Sequence, residues 1–152
     1  MNDITTQAQR NISRTHNEEV VTDQGYKRNG NSSLFGKKGS YLFSPGISTG
    51  KHQKYWFDIR EKNLQKIEKG SNVNILLRIY PNAFAYISLE YLQPYLIPSL
   101  ADTRLNSGIV WGFYCEIKAD SKQIEIIPKN KTSVSIVADL LTKQEATSAL
   151  KM

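Results

Sequence analysis

Cysteine is almost absent. Cys115 stands alone in 152 residues, which excludes an internal disulfide, and with only His16 and His52 beside it a closed structural zinc site has too few soft ligands. No apolar run approaches the roughly 18–20 residues needed to cross a bilayer, and the opening MNDITTQAQRN lacks the apolar centre of a signal peptide. The expectation is a cytoplasmic protein without membrane contact. No Ser-His-Asp order with a nucleophile turn is visible, and nothing local sets either histidine against Cys115. There is no internal repeat and no low-complexity tract.

Acidic residues are missing from one stretch in particular. Between Gln24 and Phe57 the sequence QGYKRNGNSSLFGKKGSYLFSPGISTGKHQKYWF carries Lys27, Arg28, Lys37, Lys38, Lys51 and Lys54 and not one carboxylate, so its charge equals the +6 of the whole chain. Two segments rich in Gly, Ser, Asn and Lys, residues 27–40 and 44–54, read as loops around a short strand, Tyr41-Leu42-Phe43. Such residues turn tightly and let a backbone approach a partner, while Lys and Arg draw anions. A solvated basic loop and a phosphate-gripping loop both fit this composition. A pI near 9.4 and 10% aromatic residues favour the second. Within this stretch Gly46-Ile47-Ser48-Thr49-Gly50-Lys51-His52 departs from a nucleotide-binding P-loop. It has three residues between the glycines, a histidine where magnesium needs Ser or Thr, and a strand where a helix should begin. A Gly-rich turn with a lysine still suffices to hold one backbone phosphate.

Length allows one domain, residues 24–138, between a flexible N-terminal arm at 1–23 and a C-terminal helix or linker at 139–152. The arm is polar without a clear period beyond a weak helical pattern from Ile4 to Ile12. Lys54 to Ile59 reads as a strand whose aromatic side chains line the core rather than stack bases. A short helix is expected at Glu61 to Lys69, closed by Gly70. Val73, Ile75, Leu77 and Ile79 alternate with other residues before Pro81-Asn82, and Ala85, Ile87 and Leu89 continue one face beyond it, which makes a β-hairpin. Residues 92–108 interrupt the sheet, with a helical turn expected around Ser99 to Leu105. Ile109 to Ala119 puts Trp111, Phe113, Cys115 and Ile117 on one face and Tyr114, Glu116 and Lys118 on the other. Strands at Gln123 to Ile127 and Ser133 to Ala138 follow, separated by the basic loop Lys129-Asn130-Lys131. Together these predict a mainly antiparallel all-β fold, an open pseudobarrel of about seven strands with one or two short helices.

Asp102, Glu116 and Lys118 resemble the D…(E)xK pattern of the PD-(D/E)XK nucleases, in which two carboxylates hold magnesium and a lysine positions the attacking water. An ExK triplet also arises readily on the polar face of any strand, and Ala101 stands where that family often has Pro. The leading expectation is therefore no catalytic residue and no cofactor in this chain, with magnesium only under the nuclease alternative.

Over residues 24–138 the strand number, the short helices and the two basic loops resemble a B-three-like DNA-binding pseudobarrel, known from plant transcription factors and the DNA-reading domains of bacterial restriction endonucleases. The resemblance implies two loop arms gripping the major groove of double-stranded DNA. One would be residues 27–40 or 44–54, the other 118–123 or 129–133. Lys37, Lys38, Lys51 and Lys54 then meet phosphates, Arg28, Asn29, Asn31, Ser48, Thr49, His52 and Gln53 carry groups that can reach base edges, and Lys27, Lys129, Asn130 and Lys131 complete the DNA-binding set. The function implied is target recognition for a restriction or defence nuclease, with a catalytic domain or subunit as partner. Single-stranded nucleic-acid binding by exposed aromatic residues, and a basic protein-interaction module, are the other readings.

Overall fold

A computed structural model describes residues 19–30, 32–45, 48–49, 55–79, 83–117 and 122–151. The fold is mostly β, as the alternation predicts, and open rather than closed. It is built as two sheets with more strands than the sequence pattern shows. The first sheet has the order β1-β2-β3-β6-β7, from Lys27–Arg28, Leu34–Lys37, Ser40–Phe43, Asn72–Ile79 and Ala83–Ser88. The second has β11-β10-β9-β5-β4, from Ile136–Asp139, Gln123–Pro128, Gly108–Ile117, Tyr55–Arg60 and Ser48–Thr49, with β8, Asp102–Arg104, added along the start of β9. Every pairing between strands is antiparallel except β3 with β6, which run parallel because the chain leaves for the second sheet through β4, β5 and the short helix α1, Glu61–Leu64, before returning.

The main core lies between the sheets. Leu34, Phe43, Ile75, Leu77 and Ile87 of the first meet Phe57, Ile59, Trp111, Phe113, Cys115 and Ile126 of the second. Phe57 stacks on Phe113 at 5.1 Å between ring centroids. Within β6 the consecutive residues Ile75, Leu76 and Leu77 are all fully buried. An unbroken apolar run of this kind needs cover on both faces of its sheet. A second core supplies it, in which Phe35, Leu42, Leu76 and Phe84 pack against Val20, Val21, Ala146 and Leu150. Val20 and Val21 belong to a helical segment at 19–23. Ala146 and Leu150 belong to α2, Lys143–Leu150, whose N-terminus is closed by a capping box between Thr142 and Glu145. Residues 19–23 and 143–150 therefore extend the domain past the expected limits of 24 and 138, and the weak pattern at Ile4 to Ile12 lies outside the described residues.

Two further expectations are corrected. Residues 27–40 are not a single loop: the strands β1 and β2 run within them, because Leu34 and Phe35 each bury on a different face and Lys38-Gly39 closes a two-residue turn in which Gly39 takes φ 74°. The helical turn expected around Ser99 to Leu105 is present only as a 3₁₀ turn at Pro98–Leu100, and the strand β8 takes the place of the rest. The hairpin of β6 and β7 holds the predicted register face, with Val73, Ile75, Leu77, Ala85, Ile87 and Leu89 in the main core. No helix among the described residues is long and apolar enough to cross a membrane.

Candidate nucleic-acid interface

Basic residues gather where the first sheet ends in β1, β2 and β3. A sheet side chain alternates faces with each residue, so Lys27 shares one face with Gly36 and Tyr41 while Arg28 shares the other with Phe35 and Leu42. Lys38 sits at the tip of the β2–β3 turn. Lys27, Arg28, Lys37 and Lys38 line one shallow, open cleft of about 620 Å³, floored by Gly36, Gly39 and Tyr41, with Asn29 beside them and Glu68 as its one lining carboxylate. Gly36 keeps that floor low: a Cβ there would meet the Tyr41 ring at 3.3 Å.

The cations are positioned, not merely tethered. Arg28 lies over the Phe35 ring at 5.7 Å and Lys37 over the Tyr26 ring at 4.5 Å, where its ammonium also donates to the carbonyl of Gln24. Such contacts are worth about 0.5–1 kcal/mol at exposed sites. Asn29 belongs to a closed turn: its backbone N–H donates to the Leu34 carbonyl at 2.8 Å, and its own carbonyl accepts from the Ser32 hydroxyl at 2.6 Å. The predicted basic arm is thus a preorganised strand edge. Lys27, Arg28, Asn29, Lys37 and Lys38 come together in it. Asn31, Lys51, His52, Gln53 and Lys54 lie outside the described residues, and Ser48 and Thr49 form the edge strand of the other sheet.

The second predicted arm is built differently. β8 and β10 lie end to end against the same side of β9, β8 along Gly108–Val110 and β10 along Phe113–Ile117. The Lys129 backbone N–H closes the gap by donating to the Gly112 carbonyl at 3.0 Å. Asp102 stands at this junction. Lys129 Nζ donates to its Oδ2 at 3.0 Å, and Asn130 Nδ2 to its Oδ1 at 3.3 Å and to the Leu100 carbonyl at 2.9 Å. These hydrogen bonds, Lys129 first, hold the Asp102 carboxyl below its ordinary value. Lys129 and Asn130 are therefore engaged within the fold, while Lys131 remains exposed on the following turn.

Sequence reading missed what Lys129 surrounds. On the outer face of the second sheet the Trp56 ring lies across Gly112, with the Tyr114 ring edge-on at 5.1 Å, Arg104 at 5.7 Å and Lys129 at 5.9 Å. Arg104 is fixed in turn by a 3.0 Å bond to Asp58. The clue was a glycine inside an aromatic strand, which marks a close approach.

The nuclease arrangement does not assemble. Asp102 pairs opposite Val110, and Glu116 lies six positions further along β9, about 20 Å away at roughly 3.3 Å per residue. Two carboxylates so far apart cannot share a metal ion, and among the described residues no group of three His, Cys, Asp or Glu side chains forms a metal site. Lys118 lies outside the described residues. Compared with known proteins, the chain matches no family model, no curated protein and no solved structure.

Proposed function

We propose that the chain binds double-stranded DNA through the basic edge of its first sheet. The observation that carries this reading is the gathering of Lys27, Arg28, Lys37 and Lys38 at one sheet edge, around an open cleft with a single carboxylate on its lining. An open, cationic, largely non-aromatic surface suits the phosphate backbone, whose neutralisation supplies most non-specific affinity. Stacking of successive single-stranded bases needs several bare aromatic faces, whereas Phe35 and Tyr26 at this edge lie under Arg28 and Lys37 and Tyr41 is the one ring on the cleft floor. Arg28 and Asn29 are the cleft residues with hydrogen-bonding groups of the kind that read guanine and adenine edges, which supports a sequence-dependent reading. The B-three-like resemblance extends the reading to the recognition part of a restriction endonuclease, whose cutting centre is then supplied by groups other than Asp102 and Glu116.

The test is retention of random-sequence duplex and single-stranded DNA by the wild-type chain and by a variant carrying Lys27→Glu, Arg28→Glu, Lys37→Glu and Lys38→Glu, with folding checked by circular dichroism. Duplex-preferring retention that the folded variant loses is the expected result. Unchanged retention by the variant refutes this surface.

A further inference from the structure

The outer face of the first sheet is apolar over only part of its extent. Where Phe35, Leu42, Leu76 and Phe84 end, the same face continues as Ser40, Asn72, Asn74 and Ser88, brought side by side by the registers Ser40↔Asn72 and Asn74↔Ser88. The C-terminal end of α2, at Leu150 and Lys151, overhangs this polar floor, and Tyr26, Tyr86 and Lys37 wall it, enclosing a recess of about 240 Å³. The Tyr26 hydroxyl is hydrogen-bonded to Ser40; burial holds both phenols above their ordinary value, and the neighbouring Tyr26 raises half-buried Tyr86 further. The side-chain carboxamides of Asn72 and half-buried Asn74 have no hydrogen-bond partner among the described residues.

We propose that this recess binds a small hydroxylated phosphomonoester, its phosphate between Lys37 and Lys151 and its hydroxyls on the carboxamides and hydroxyls of the floor. The lining is almost wholly polar, with donors and acceptors mixed, a lysine at each side and Glu90 as its one carboxylate, outnumbered by the two cations. A nucleobase needs flat apolar walls to stack against, and the Tyr26 face is taken by Lys37. Carboxamides suit vicinal hydroxyls because each both donates and accepts. A free sugar phosphate carries this chemistry, and its binding does not rest on the duplex reading, although Lys37 also borders the neighbouring cleft.

The experiment is an NMR and calorimetric titration of the whole chain with ribose 5-phosphate, ribose and inorganic phosphate, on wild type, Asn74→Leu and Lys151→Gln. Saturable binding of ribose 5-phosphate is expected, at least tenfold tighter than either fragment, and weakened at least tenfold by Asn74→Leu and several-fold by Lys151→Gln. No saturable binding, equal binding of inorganic phosphate, or binding indifferent to both variants overturns the proposal. Lys27→Gln with Lys38→Gln should weaken duplex retention and leave ribose 5-phosphate untouched. Loss of the sugar-phosphate result alone therefore refutes the recess, and loss of duplex retention alone refutes the cleft.

Discussion

Replacing Gly112 by alanine tests the packing on the outer face of the second sheet. A Cβ at this position would fall 2.0 Å from Cη2, 2.5 Å from Cζ2 and 2.9 Å from Cζ3 of Trp56. These are atoms of one rigid ring, so the indole must lift as a whole. Lifting it strains the contacts with Tyr114, Arg104 and Lys129, and the last two are anchored at 3.0 Å on Asp58 and Asp102. Overpacking costs about 1–3 kcal/mol, and two weakened cation–π contacts add about 0.5–1 kcal/mol each. Alanine restricts the unfolded chain and returns about 0.4–1 kcal/mol. The net loss is about 3 kcal/mol, or about 6–12 °C in Tm for a chain of this size. Urea denaturation measures it, and Trp56→Ala provides the control. In that background Gly112→Ala should cost less than about 0.5 kcal/mol, since the clashing ring is gone. An equal cost in both backgrounds, or none in either, refutes the reasoning. Tryptophan emission should change as well, and because Trp111 is buried in the main core the change belongs to Trp56.

Thr142→Ala removes the capping box of α2 and should lower global stability by about 1 kcal/mol in urea denaturation; an unchanged midpoint would mean that α2 is appended to the domain rather than part of it. Cys115 is fully buried, and burial pushes its thiol far above the ordinary value. A thiol reagent should therefore label it only at the rate of unfolding, and rapid labelling under native conditions contradicts the core assignment. The Asp102 carboxyl lies below its ordinary value near 3.8, so its contribution is present above that pH and is lost as pH falls through the lowered value. Acidification below about pH 4 should accordingly cost the wild type more stability than Asp102→Asn; parallel pH profiles would show that the Lys129 and Asn130 bonds contribute nothing.

What the sequence reveals follows the reach of the interactions involved. The hairpin of β6 and β7 is legible because alternation is local, and Val73 to Ile79 and Ala83 to Leu89 carry it unaided. β2 is hidden because Leu34-Phe35 is a two-residue signal among glycines, serines and lysines, and only the two cores show why each side chain has a face to fill. The parallel pairing of β3 with β6 joins residues about thirty positions apart and leaves no local mark. The acid-free stretch announces a basic surface, but its form as a strand edge depends on that pairing. Asp102 and Glu116 mislead for the opposite reason: a fourteen-residue spacing matches a motif, while the antiparallel return through β8 sets the two carboxylates at different places along β9. Trp56, Gly112 and Arg104 meet from three strands, and the glycine inside β9 is their only trace in the sequence.

The most direct test of the central claim is the salt dependence of duplex affinity, followed by fluorescence anisotropy on wild type and on the Lys27→Gln, Lys38→Gln variant. Both side chains are exposed and neither is used in the cores, so the fold should be unaffected. If each lysine meets one phosphate, their removal flattens the slope of log K against log salt by about 1.8, at about 0.9 per contact, and weakens binding to all duplex sequences alike. A slope and affinity unchanged by the two substitutions would contradict the placement of DNA at this edge.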